Sequence, residues 1–188
     1  MVGTPISTFS GHSKDLCRPL STRLFALFIG INEYQNKWDA HNNPEGYTTL
    51  QYAVADADEM ERLFIAKGVP SENIRNLRDG NATRKAIIRE VQSLIGDSRI
   101  EKDGASILIF YAGHGSRTAI PDKWVGWQAT DQMIEMLCPA DMGMPLEGSE
   151  DKVGGIADRT IAALLNKLSA AKGDNIVNRA PFLPLFTA

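Results

Sequence analysis

Two uninterrupted apolar runs dominate the chain: Leu24-Phe25-Ala26-Leu27-Phe28-Ile29-Gly30-Ile31 and Ile107-Leu108-Ile109-Phe110-Tyr111-Ala112. Runs of this kind predict strands buried on both faces of a parallel sheet. Between them, Ala53, Ala57, Met60 and Phe64 fall at helical spacing, and Gly68 supplies a stop. Ile74 to Leu77 predicts a short strand, less apolar and therefore near a sheet edge. Asn81 or Thr83 offers a cap for the next helix, whose core stripe is Ile87, Ile88, Val91, Leu94 and Ile95. Further on, Met133 to Cys138 reads as a short strand. Asp158 reads as the cap of a helix carrying Ile161, Leu164, Leu165 and Leu168 at i, i+3, i+4 and i+7. Lys172 to Val177 reads as a helix stop and the entry to a strand that breaks off at Asn178, because Pro181 and Pro184 have no place in a central strand. The order βαβαβ(β)α predicts a three-layer α/β sandwich with a mainly parallel sheet. Three full strands and one aborted strand form a thin sheet for three amphipathic helices.

Composition narrows this picture only slightly. A length of 188 residues fits one domain with a sizeable core. The net charge of -3 gives no electrostatic case for nucleic acid or an anionic membrane. The densest basic cluster, Arg84, Lys85 and Arg89, reads as the wet face of a helix. Two cysteines do not make a disulfide framework, which points to a reducing, cytoplasmic setting. The longest apolar run is too short to span a bilayer. Residues 1–22 are rich in Ser, Thr, Gly and Pro and lack a signal-peptide core, so a disordered leader is expected.

Candidate chemistry gathers at His114. The second apolar run stops at this histidine, between Gly113 and Gly115. In open α/β sheets, ligands bind at the carboxyl ends of the strands. A histidine there can titrate near neutral pH and move protons. The two glycines remove side chains that would crowd an approaching substrate backbone. The competing reading is a Gly-rich turn that happens to contain a histidine.

Four segments, taken in order, resemble the caspase-like cysteine peptidases, and most closely the fungal metacaspase type. They are Leu27 to Asn32, Leu50 to Met60, Tyr111-Ala112-Gly113-His114-Gly115, and Leu137 to Asp141 followed by Ile156 to Thr160. Together they cover roughly residues 24–177. The resemblance implies a caspase-like sandwich over residues 23–177, with a divergent tail over 178–188. It also implies cysteine-type endopeptidase chemistry. His114 would be the base and acid of a Cys–His dyad, since the thiolate is the nucleophile and a neighbouring histidine stabilises it. The Gly115 N–H would help hold the oxyanion. Asp56 would line a pocket that prefers Arg or Lys before the cleaved bond; alternatively it is a first-turn acid facing the helix dipole. Asp58 is one position off that register and is expected to be solvated.

The sequence departs from the family at the nucleophile. In caspases that cysteine lies about fifty residues beyond the histidine, at the end of the strand following the last helix. Residues 158–188 contain no cysteine. Cys17 lies in the leader. Cys138 sits at a non-catalytic position, directly before Pro139, and reads as a small buried hydrophobe. The expectation is a domain truncated before its nucleophile-bearing strand, and a pseudoenzyme. The family's calcium-binding carboxylates lie further downstream, so no cofactor or metal site is expected. His12 and His41 have no partners at metal spacing. Trp124 and Trp127 could form a lid or simply pack beneath a long loop.

The function expected from the resemblance is proteolysis, with a peptide or protein as substrate. The alternative is a non-catalytic protein that docks on an intact relative or self-associates through an open sheet edge. A receiver domain is disfavoured because Asp56 begins a helix instead of ending a strand. A nucleotide-binding domain is disfavoured because no phosphate loop follows Leu24 to Ile31, and Asp79-Gly80-Asn81 reads as a turn.

Overall fold

The computed structural model describes residues 20–120 and 133–179. The leader with His12 and Cys17, the segment with Trp124 and Trp127, and the tail from residue 180 onward lie outside the described residues. The two apolar runs form β1 (Leu24–Gly30) and β3 (Ser106–Ala112), and the shorter runs form β2 (Ile74–Arg78) and β7 (Ile176–Arg179). All four pair in parallel, in the order β2-β1-β3-β7. β1 and β3 match over their full length, from Leu24 opposite Ser106 to Gly30 opposite Ala112.

Alternate residues of these strands serve two separate cores. Phe25, Leu27, Ile29, Ile107, Ile109 and Tyr111 face α2 (Arg84–Gly96) and α3 (Asp158–Lys172). Ala26, Phe28, Leu108, Phe110 and Ala112 face α1 (Ala53–Ala66). A strand covered on both sides has no polar alternation, which accounts for the continuous runs in the sequence. The predicted stripes are in place. Ile87, Val91 and Leu94 of α2 are buried, as are Leu164 and Leu168 of α3, with Ile161 and Leu165 packed beside them. The result is a three-layer sandwich around a mainly parallel sheet.

Several expectations need correction. The strand after α3 is formed: β7 pairs with β3 over four positions, so β3 is an interior strand and, among the described residues, β7 is the edge. The stretch after His114, read as loop, begins with β4 (Gly115–Ala119). β4 pairs antiparallel with β5 (Met133–Leu137), which pairs with β6 (Ile156–Ala157) in a second, three-stranded sheet. Gly-Ser-Arg-Thr-Ala carries no strand signal of its own; pairing with β5 makes it a strand. Thr83 is the α2 cap, its Oγ1 accepting from the Ala86 N–H at 3.2 Å. Asp158 does not cap α3. It is the first helical residue, after Ala157, and its carboxylate accepts from the neighbouring Arg159 N–H.

Candidate functional site

His114 stands in the two-residue link between β3 and β4, at the carboxyl end of an interior strand. The residues following β1 are stapled to this point. Ile31 N–H donates to Ala112 O at 2.9 Å, and Gln35 N–H to Ala140 O at 2.8 Å. Asp79, held at φ 44° after β2, accepts from the Asn32 and Glu33 N–H groups at 2.7 and 2.9 Å. Asn32 Oδ1 then caps α1 by accepting from Val54 N–H at 3.2 Å, since the local N-cap, Tyr52, offers no side-chain bond. These bonds bring residues 34–50 over the end of β3.

That segment supplies the histidine's ring partner. Nε2 of His114 lies 2.8 Å from the Thr48 carbonyl oxygen. A carbonyl only accepts, so Nε2 is the protonated nitrogen. In the neutral ring the lone pair then falls to Nδ1. The ring also packs against Tyr34 and Tyr47, with centroids 5.0 and 5.8 Å away.

An open cleft of about 340 Å³ lies beside the histidine, lined by Leu50, Gly113, His114, Gly115, Ser116, Arg117 and Glu135. Gly115 is exposed in this wall, and a Cβ there would meet nothing closer than Met136 O at 3.8 Å. Its bareness is therefore free to serve a ligand. Gly113 is different. A Cβ there would come within 2.6 Å of the Tyr111 hydroxyl and 2.9 Å of the Tyr34 hydroxyl, so the protein's own packing requires this glycine. Arg117 and Glu135 face one another across the β4–β5 ladder at 3.8 Å.

The remaining sequence candidates are separated from this cleft. Asp56 is exposed in the first turn of α1 and is not part of the cleft wall. Asp58, expected to be merely solvated, holds Arg78 at 2.8 Å. Cys138 is fully buried, and burial pushes its thiol up to about 11. A thiol in that state is a packing group, not a nucleophile. Among the described residues, no group of three or more His, Cys, Asp or Glu side chains is arranged to hold a metal ion. No helix among them is long and apolar enough to cross a membrane. The Thr48 carbonyl was invisible to sequence reasoning, because a main-chain acceptor leaves no residue signature. Tyr34 and Tyr47 had no pattern to mark them. Tyr111 did lie within the quoted histidine motif.

Comparison with known proteins bears on the family and the fold. A sequence profile of the caspase domain matches residues 23–168. Metacaspase-1 of Candida albicans is 29% identical over 128 residues, which is 64% of this chain but only 26% of that protein. This chain thus spans about a quarter of the length of that relative. The crystal structure of protein GSU0716 from Geobacter sulfurreducens superposes with a TM-score of 0.57 at 20% identity. The superposition covers 83% of this chain and 48% of that one, a likeness in fold.

Proposed function

Because this chain belongs to the caspase-domain family of cysteine peptidases, we propose that it carries the histidine half of a Cys–His endopeptidase centre and part of its peptide-binding wall. The observation that supports this most directly is the state of His114. Its Nε2 is committed to the Thr48 carbonyl, so Nδ1 carries the lone pair beside an open cleft. A base needs that arrangement to take a proton from a thiol and return it to a leaving amine. Among the described residues β4 is the outer strand of its sheet, and a substrate peptide added along it would run past His114 and Gly115. In this reading the Gly115 N–H contributes to the oxyanion site.

The chain alone is inactive in this proposal. β7 ends in Asn178-Arg179 without a cysteine, and the Cys138 thiol is buried and protonated. Calcium dependence, where the family has it, would come from residues outside this sequence. The Arg or Lys preference rests on the resemblance at Asp56. Glu135 is the carboxylate in the cleft wall, and it makes a rival source of that preference. A reducing, cytoplasmic setting suits a thiolate enzyme. The second reading, docking on an intact relative or on another copy, draws on β7, the outer strand of the sheet among the described residues, where Val177 is 54% exposed.

The test has two arms. The chain by itself is assayed on Arg- and Lys-containing peptides, with and without calcium, and no turnover is expected. Turnover that disappears in Cys138→Ala would overturn the inactivity. The chain is then joined to the nucleophile-bearing segment of an intact family member. Turnover is expected there, and its survival in His114→Ala would overturn the assignment of the base. Comparing Asp56→Ala with Glu135→Gln shows which carboxylate sets the preference for basic residues.

A further inference from the structure

Both main-chain polar groups of His114 end on tyrosine hydroxyls, one from three residues earlier in the chain and one from the distant loop after β1. Its N–H donates to Tyr34 Oη at 2.7 Å, and its carbonyl oxygen accepts from Tyr111 Oη at 2.9 Å. Tyr111 also reaches the Cys138 carbonyl at 2.8 Å, and the Cys138 N–H donates to His114 O at 3.0 Å. The Tyr111 hydroxyl has one proton, which goes to a carbonyl, while the Tyr34 oxygen accepts from the His114 N–H. Tyr34 and Tyr111 are buried, at 1% and 3% exposure, so no water competes for these bonds.

We propose that Tyr34 and Tyr111 are positioning residues that clamp the main chain of His114, and thereby hold its ring Nε2 on the Thr48 carbonyl with Nδ1 turned to the cleft. The absence of a side chain at Gly113 supports this independently, since a Cβ there would enter the space of both hydroxyls. Burial raises the Tyr34 hydroxyl to about 12 and the Tyr111 hydroxyl well above its usual value. Both stay protonated through the neutral range, so the clamp does not titrate while the histidine works. Tyr47 is a contrasting neighbour. Its ring touches the same imidazole, but the His114 main chain is bonded to Tyr34, Tyr111 and Cys138 and not to the Tyr47 hydroxyl.

The inference rests on reading His114 as the base, but its test needs no turnover, so each can fail without the other. Proton–nitrogen NMR of the full chain, labelled at its three histidines, follows the His114 ring Nε2–H. The resonance is assigned with His114→Gln. Tyr34→Phe is expected to speed exchange of that proton with water about tenfold, while the amides of β1 keep their protection. Tyr111→Phe acts in the same direction, and if it fails to fold, Tyr34→Phe decides. Tyr47→Phe leaves ring exchange as in the parent chain. Unchanged ring exchange in Tyr34→Phe, or equal acceleration in Tyr47→Phe, would overturn the proposal.

Discussion

Replacing Gly113 with alanine adds a single carbon at the most crowded point of the site, and the cost follows from the distances. The new Cβ would stand 2.6 Å from Tyr111 Oη, 2.9 Å from its Cζ and 2.9 Å from Tyr34 Oη. These are far inside van der Waals contact, and both tyrosines are buried among core residues, with little room to retreat. Overpacking of this kind costs about 1–3 kcal/mol. Pushing the hydroxyls away also breaks the bonds at His114 N–H and His114 O, at about 1 kcal/mol each. Together the loss is roughly 3–5 kcal/mol, against a total of about 5–15 for a typical domain. Gly115→Ala, two residues away, is the control. Its nearest neighbour would be Met136 O at 3.8 Å, and its backbone is outside the left-handed region. The expected change there is within about 1 kcal/mol, and favourable through the reduced freedom of the unfolded chain. Urea unfolding of the two variants, monitored by far-ultraviolet circular dichroism, reads both numbers. Equal midpoints for Gly113→Ala and Gly115→Ala would refute the packing argument.

Two further predictions address regions away from the cleft. Arg99 hydrogen-bonds Asp97 and, with Arg75 nearby, lowers its carboxyl to about 2. A lowered native value stabilises the fold above the unfolded value near 3.8 and is lost as pH falls through about 2. Arg99 is half exposed, so solvent screening reduces the contribution to about 1–2 kcal/mol. The urea midpoint should therefore fall between pH 4 and pH 2, and Asp97→Asn should flatten that slope; an identical slope in the variant would rule the pair out. Among the described residues β7 is the outer strand of its sheet, and Val177 is exposed on it. Concentration-dependent association is expected in sedimentation velocity, and Val177→Lys should suppress it by charging the edge. A parent chain that stays monomeric across the same concentrations would show that the edge does not recruit a second copy.

What the sequence by itself determined is the set of elements whose signals are local or periodic. Strands covered on both faces must be apolar at every position, so β1 and β3 could be read directly. Helices that bury one stripe must repeat it, so α2 and α3 declared themselves through Ile87, Val91 and Leu94 and through Leu164 and Leu168. His114 was legible because it ends such a strand between glycines, and the burial of Cys138 agreed with its reading as a small hydrophobe. Tertiary structure alone decided the features that depend on a distant partner. β4 exists because β5 lies beside it. β7, read from sequence as an aborted strand, forms because β3 offers it an edge. The Thr48 carbonyl becomes the ring acceptor only when the bonds around Asn32 and Asp79 bring its loop over the end of β3. The same distinction separates the two glycines of the histidine motif. Sequence reading gave both the role of clearing space for a substrate, whereas in the fold Gly113 yields its Cβ space to two tyrosine hydroxyls and Gly115 leaves its own open. A glycine carries no information about which atoms occupy the volume it leaves open, so that difference arises only once the chain has closed around it.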